Sequence, residues 1–168
     1  MFDSFFKDPP APGHWLRQGR SVRFGDTDAA GVMHFHQLLR WSHEAFEQSL
    51  EAFGLSSAQI FPGPAWRSEL PGGVGQPAVA LPIVHTSADF KRPLFAGDAL
   101  VITVAPVALE EGLLEVRYRF ESGGFEAATA LTHHRAIVAA TRQRCGLPEP
   151  IARWLEASAP FAAPVGGS

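Results

Sequence analysis

The pattern of apolar and polar residues predicts one long helix in this chain. Between residues 35 and 55, apolar and small side chains recur three and four positions apart, as they do along the buried face of a helix. Gly54 follows this run and supplies a stop signal. The predicted buried face comprises Leu38, Leu39, Ser42, Ala45, Phe46, Ser49, Leu50 and Phe53.

Strand-like runs lie on both sides of this helix. Residues 14–24 alternate weakly and predict a first or edge strand. Turn signals separate four further runs, which predict an antiparallel meander at residues 78–90, 98–109, 113–122 and 125–141.

The remaining segments have weaker patterns. Residues 56–77 are rich in Gly, Pro and Ser and predict a long loop or a short helical insertion. Residues 147–157 predict a short C-terminal helix, with Pro148 and Pro150 near its start.

One long helix followed by antiparallel strands is typical of an α+β domain, in which the sheet covers the apolar face of the helix. We expect a single domain over residues 14–158, a flexible N-terminal arm over residues 1–13 and a flexible tail over residues 159–168. Apolar strands leave open edges, so a homodimer with paired sheets is the natural arrangement.

Composition narrows the classes of partner. The chain has 168 residues, a formal net charge of −3 and a pI of about 6.1, and this balance argues against nucleic-acid binding. No stretch approaches the roughly 20 apolar residues of a membrane-spanning helix, so we expect no membrane insertion. Cys145 is the only cysteine, and charges and prolines interrupt the apolar start. We therefore expect a cytoplasmic protein with a small-molecule partner.

The stretch "FGDTDAAGVMHF", residues 24–35, carries the strongest candidate chemistry. Asp26 and Asp28 precede the predicted helix and offer more acid than one helix cap requires. Free amides near Phe35, at the helix start, can hold a carbonyl oxygen while a carboxylate attacks the carbonyl or activates water. Gly31 permits a close turn. The alternative is that both acids only cap the helix and hold the loop.

No metal or cofactor site follows from the other candidates. His34 and His36 stand two apart, and His133 and His134 are adjacent on a predicted strand, so neither pair predicts a chelating geometry. The segment "HEAFE" at residues 43–47 lacks the second histidine of a zinc-protease helix, which leaves a solvated or partner-facing helix edge.

The motif "RFGDTDAAGV" resembles the hot-dog fold thioesterases of the 4-hydroxybenzoyl-CoA thioesterase type, and the likeness runs from about Val22 to Leu155. This resemblance implies a long central helix wrapped by a curved antiparallel sheet of about five strands. It implies that Asp28 is the catalytic carboxylate, that Asp26 supports it and that the Phe35 amide binds the thioester carbonyl at a turn made by Gly31. It also implies an acyl-CoA substrate without a separate cofactor, and homodimers with shared active sites that pair further as homotetramers.

The segment "VMHFHQLLRWSHEAFEQSL" is most similar to 1,4-dihydroxy-2-naphthoyl-CoA hydrolases of phylloquinone synthesis, which implies an aromatic acyl group. Phe35 stands where Tol-associated acyl-CoA thioesterases often have a histidine. A general short-chain or aliphatic thioesterase and a non-catalytic acyl-CoA binding protein remain the alternatives.

Two sets of substrate contacts are predicted. The 4-hydroxybenzoyl-CoA thioesterase binds the phosphates of coenzyme A through a basic cluster in its third hairpin. At the corresponding turn this chain has "ALEEGLLE". The residues that can replace this cluster are Lys91, Arg92, Arg142 and Arg144. Aromatic walls for the acyl group are expected from Phe35, Trp41, Trp66 and Phe90. Core packing is the alternative for each of them and is favoured for Trp41 and Phe90.

Overall fold

A five-stranded antiparallel sheet packs against one long helix. The structure is a computed structural model that describes residues 11–71 and 75–162. Its helices are α1 (Gly13–Leu16), α2 (Phe35–Phe53), α3 (Ser57–Ile60) and α4 (Glu149–Ala162). Its strands are β1 (Arg17–Ser21), β2 (Val79–Ala80), β3 (Ile83–Phe90), β4 (Ala99–Glu110), β5 (Leu113–Ser122), β6 (Phe125–Arg135) and β7 (Ile137–Val138). Short 3-10 turns occupy Phe24–Asp26 and Ala65–Glu69.

Helix α2 confirms the prediction from the helical pattern. Gly54 ends it in the left-handed conformation, with φ of 108°, and donates its N–H to the carbonyls of Glu51 and Leu50. Leu38, Trp41, Ala45 and Phe46 of the buried face are inaccessible to solvent. Leu39 differs from the prediction, because it is 36% exposed on the flank of the helix.

Strands β4, β5 and β6 form consecutive hairpins, as predicted. Along β5 the buried side chains Leu114, Val116, Tyr118 and Phe120 alternate with Arg117 and Arg119, which are exposed. This alternation places one face of the sheet against the helices and the other face toward solvent.

The predicted strand order, a simple meander, was wrong, because the strands of the sheet lie in the order β1-β4-β5-β6-β3. β1 occupies the free edge of β4, with Arg17 opposite Thr103 and Ser21 opposite Ala99. β3 therefore crosses to the open edge of β6 instead of pairing with its successor in the chain. The small sheet of β2 and β7 extends this end of the molecule.

The strand predicted at residues 14–24 was wrong at its start. Residues 13–16 form helix α1, which buries Trp15 and Leu16. The Trp15 indole N–H donates to Ser158 Oγ at 3.0 Å, so this short helix is tied to α4. A strand would alternate its side chains between two faces and could not bury these neighbours together.

Helix α4 is longer than predicted. It packs beside α2, where the indole N–H of Trp154 donates to Ser49 Oγ at 3.1 Å. Residues 159–162 belong to this helix and not to a tail, while residues 163–168 lie outside the described residues. Of the predicted arm, residues 1–10 also lie outside them, and Gly13 begins α1. Within residues 11–71 and 75–162, no helix is long and apolar enough to cross a membrane.

Candidate active site

The loop between β1 and α2 is held by its own backbone and by Asp26. The Asp26 carboxylate accepts the Arg23 N–H at 2.8 Å, and its carbonyl accepts the His34 N–H at 2.9 Å. These bonds close the loop and fix where α2 begins. Asp26 therefore holds the loop that carries Asp28, and its supporting role in catalysis stays a prediction.

Asp28 lies at the tip of this loop. Its backbone N–H donates to the Val32 carbonyl, and its Oδ1 accepts the Ala30 N–H at 2.8 Å. The Gly31 N–H donates to the Asp28 carbonyl, and Gly31 takes a φ of 79° that favours glycine. No donor among the described residues reaches Asp28 Oδ2, so one carboxylate oxygen is oriented and the other is free.

The start of α2 supplies the electrophilic side of the site. The Phe35 N–H has no acceptor in the described part of the chain, and no acidic side chain occupies the first turn. The helix dipole adds a partial positive charge at this end. A carbonyl oxygen placed here would be polarised by the amide and by the dipole together.

The loop also docks onto the segment that follows β3. The Met33 N–H donates to the Leu94 carbonyl at 2.7 Å, and Val32 forms a β-bridge with Phe95. Four phenylalanine side chains around this end of the molecule are half exposed or more: Phe24, Phe35, Phe90 and Phe95. Such an apolar surface is typical of a ligand site or an interface.

The predicted aromatic walls divide into two groups. Trp41 is fully buried, and the Arg20 guanidinium lies 4.6 Å from the centroid of its ring. Trp41 therefore belongs to the core, and its prediction as a substrate contact was wrong. The physical reason is its place on the core face of α2, covered by β1. Phe90 and Trp66 are 53% and 58% exposed, which leaves both available to a ligand.

The predicted phosphate contacts lie in two separate places. Arg92 donates its backbone N–H to the Ala127 carbonyl near the start of β6, which is the end of this strand closer to the site loop. Arg144 forms a β-bridge with Ile137, beyond the other end of β6. The two places are about 30 Å apart along the strand. Lys91 forms an ion pair with Glu126, Arg92 stacks on the Phe125 ring at 4.5 Å, and Arg142 is exposed in a turn. Lys91 and Arg92 are therefore the pair near the site loop.

The histidine pairs show no metal centre. His34 and His36 do approach each other, with ring centroids 4.2 Å apart, which their spacing alone did not indicate. No third histidine, cysteine, aspartate or glutamate joins them to form a possible metal group in residues 11–71 and 75–162. His34 instead caps α2, because its Nδ1 accepts the His36 N–H at 3.4 Å.

The sheet carries polar networks that the sequence did not reveal. His134 lies 2.9 Å from Thr132 Oγ1, which lies 3.1 Å from the Tyr118 hydroxyl, and the Leu81 carbonyl lies 3.3 Å from His134 Nδ1. Burial lowers the pKa of His134 to about 4 and raises the pKa of Tyr118.

A second network lies on the other face of the sheet. Burial opposes ionisation of Glu115, but hydrogen bonds from His133 and Arg117 outweigh it and lower the pKa of this carboxyl group. Neither network reaches the site loop.

Helix α2 carries a further pair that the sequence analysis did not assign to the site. His43 Nδ1 lies 2.8 Å from Glu47 Oε1, one turn further along the helix. The spacing of the two residues was visible in "HEAFE", but of the rings around His43 only Phe46 belongs to this segment, whereas Phe61 and His134 come from other parts of the chain.

Comparison with known proteins identifies the family of this chain. A family model described as the thioesterase-like superfamily matches residues 22–155. A 1,4-dihydroxy-2-naphthoyl-CoA hydrolase from Prochlorococcus marinus strain MIT 9303 is 55% identical over 147 residues, which are 88% of this chain and 93% of the relative.

Two solved structures share the architecture. A candidate thioesterase from Prochlorococcus marinus strain MIT 9313 superposes with a TM-score of 0.82 at 52% identity, covering 89% of this chain and 99% of that one. A 1,4-dihydroxy-2-naphthoyl-CoA thioesterase from Synechocystis superposes with a TM-score of 0.68 at 30% identity, covering 83% and 94%. The hot-dog fold is thus confirmed, and the chain belongs to the thioesterase-like superfamily.

Proposed function

We propose that this protein is an acyl-CoA thioesterase that hydrolyses an aromatic acyl-CoA, most specifically 1,4-dihydroxy-2-naphthoyl-CoA. The observation that carries the proposal is that the loop before α2 offers a free carboxylate oxygen on Asp28 and leads directly into a free N–H on Phe35, the first residue of the helix. The relative and the solved structure that are named for this substrate support the choice of acyl group.

The chemistry follows from these two groups. The Phe35 N–H and the helix dipole stabilise negative charge as it develops on the thioester oxygen. Asp28 Oδ2 then acts by one of two routes. It attacks the carbonyl carbon, expels the CoA thiolate and forms an anhydride that water cleaves, or it takes a proton from a water molecule that attacks the same carbon. Both routes consume one water and yield a carboxylic acid and coenzyme A, and neither requires a separate cofactor.

The open edge of β3 supports a homodimer. Nearly every side chain of β3 is exposed, including Ile83 and Val84, and the strand has no lysine or arginine. The other open edge, β1, carries Arg17 and Arg20, which are the kind of residue that blocks edge pairing. We propose that β3 pairs with the β3 strand of a second copy and that this copy completes the exposed site. Further pairing to a homotetramer and a cytoplasmic location stay predictions.

A panel of thioesters tests the proposed function. Thiol release would be measured with naphthoyl-, benzoyl- and fatty acyl-CoA substrates at matched concentrations. The proposal expects the highest kcat/KM for the dihydroxynaphthoyl thioester. A higher kcat/KM for fatty acyl chains would instead identify an aliphatic thioesterase, and tight binding without thiol release would identify a binding protein.

A further inference from the structure

One flank of α2 is left uncovered beside the proposed oxyanion site. Phe35, Leu39 and His43 recur four residues apart and therefore lie along one line of the helix. Phe35 is 68% exposed and Leu39 is 36% exposed, whereas Leu38 on the core face is fully buried. The flank is an apolar strip that begins at the amide expected to hold the thioester oxygen.

This strip ends at a polar pair set among aromatic rings. The His43 ring lies 6.1 Å from the centroids of both Phe46 and Phe61, and its Nδ1 contacts Glu47. A hydrogen bond to a carboxylate places the Nδ1 proton toward Glu47, which leaves a lone pair on Nε2 of the neutral ring. No partner for Nε2 is found in the described part of the chain.

The strand next to this flank provides a second wall. In the sheet register Ala88 and Phe90 of β3 lie opposite Ala130 and Ala128 of β6, whose side chains are buried. Cross-strand partners share a face, so Ala88 and Phe90 are on the helix side of the sheet. The His43 ring also lies 6.4 Å from the ring of His134 on β6, so this flank faces the β6–β3 side of the sheet, and the space between the flank and β3 is a groove open to an acyl group.

The length of the groove suits an aromatic acyl group. His43 lies about 12 Å along the helix axis from Phe35, and helical side chains lean toward the N-terminus, which brings the imidazole closer to the Phe35 amide. The two hydroxyls of a 1,4-dihydroxy-2-naphthoyl group lie on the ring that carries the acyl carbon. With a hydrogen bond at each end, the path from the Phe35 amide through the carbonyl and across this ring to the 4-hydroxyl and the imidazole reaches at most about 12 Å, which covers the remaining span. A ring bound at the amide would thus present its 4-hydroxyl toward His43 Nε2.

We propose that His43, oriented by Glu47, is a specificity residue that accepts a hydrogen bond from a ring hydroxyl of the acyl group. Phe35 and Leu39 contact the ring itself. A phenol is a good donor to an imidazole whose far nitrogen is held by a carboxylate, and an aliphatic chain has no such donor. This inference rests on the proposed function and names the feature of the substrate that the groove recognises.

Two thioesters that differ by one hydroxyl test the inference. These are 1,4-dihydroxy-2-naphthoyl-CoA and 1-hydroxy-2-naphthoyl-CoA, compared by kcat/KM in the wild type and in His43→Phe. We expect the wild type to prefer the dihydroxy substrate by about 10- to 100-fold and the variant to prefer it by no more than about 3-fold. The loss should come from slower turnover of the dihydroxy substrate alone.

Control variants separate hydroxyl recognition from general damage. Leu39→Ala should lower kcat/KM about equally for both substrates, and His14→Phe, an exposed histidine on α1, should change neither. If His43→Phe does not fold, Glu47→Ala replaces it and should reduce the preference by at least about 3-fold, because the imidazole loses its orientation.

The outcomes that oppose the two proposals differ. A wild-type preference that persists in His43→Phe, or that Leu39→Ala abolishes equally, would overturn the role of His43. Absence of thiol release from both substrates by the wild type would instead count against the proposed function.

Discussion

The backbone of Gly112 lies against the carbonyl of Cys145 so closely that a Cβ atom at Gly112 would stand 2.0 Å from that oxygen. Gly112 also has a φ of 70°. This contact joins the β4–β5 hairpin to the segment that leads into α4. We therefore predict that Gly112→Ala lowers the free energy of unfolding by at least about 3 kcal/mol, because backbone must move to relieve the clash.

Gly124→Ala is the matched control for this change. Gly124 also has a positive φ, of 82°, but no atom lies within 4 Å of the added Cβ. The control should lose only about 1 kcal/mol from backbone strain. Urea denaturation of the three proteins measures the difference, and equal losses would show that the contact with Cys145 is unimportant.

The buried His134 predicts a loss of stability in mild acid. Burial holds its folded pKa at about 4, below the ordinary value of 6.5, so the unfolded chain binds a proton first as pH falls. Stability should be level above pH 6.5 and should fall by about 1.4 kcal/mol for each unit below it, until pH approaches 4. Urea denaturation at pH 7, 6 and 5 measures this slope.

His134→Gln provides the comparison for the pH series. Its side chain has no group that titrates in this range, so the slope between pH 6 and pH 5 should largely disappear. The glutamates with lowered pKa values titrate below this window and should not contribute within it. An unchanged slope in the variant would assign the acid sensitivity to another group.

The β3 edge can be tested with one charge. Ser87 lies near the middle of β3, and pairing with a second antiparallel copy brings residues near the centre close to their own copies. Ser87→Lys should therefore weaken the dimer by at least about 10-fold in Kd, as measured by sedimentation equilibrium. Ser21→Lys places the same charge on the other open edge, β1, and should leave the dimer intact. The reverse result would assign the interface to β1.

The two predicted phosphate sites give different expectations. Arg92 lies beside the start of β6, near the site loop, where it can bind a coenzyme A phosphate. Arg92→Gln should therefore raise KM for the acyl-CoA by about 5- to 10-fold with little change in kcat. Arg144 lies about 30 Å away in the same chain, and Arg144→Gln should leave KM unchanged. A larger rise in KM in Arg144→Gln than in Arg92→Gln would instead assign phosphate binding to the far end of the sheet.

The sequence was sufficient for elements whose signals are local. The helical period, Gly54 and the short spacing from Asp28 to Phe35 placed α2 and the loop before the structure was known. The crossing of β3 to β6 was not predictable in this way, because it depends on β1 already occupying the edge of β4. Core packing, which the helical pattern favoured for Trp41 over a substrate contact, is what the structure shows, and the part of its cover that comes from Arg20 on β1 was not predictable from the pattern.

The free oxygen of Asp28 is the feature on which the proposed function depends. In Asp28→Asn the amide oxygen can still accept the Ala30 N–H, so the loop and the fold should remain as they are. In Asp26→Asn the side-chain oxygen can likewise still accept the Arg23 N–H, and this control should lose much less activity.

The most direct measurement is steady-state thiol release from the aromatic acyl-CoA by the wild type and Asp28→Asn, with the two proteins matched in thermal midpoint and oligomeric mass. We predict that kcat falls by a factor of about 100 or more, because the variant has no carboxylate to attack the carbonyl or activate water. A kcat equal to that of the wild type would contradict the assignment of Asp28 as the catalytic group.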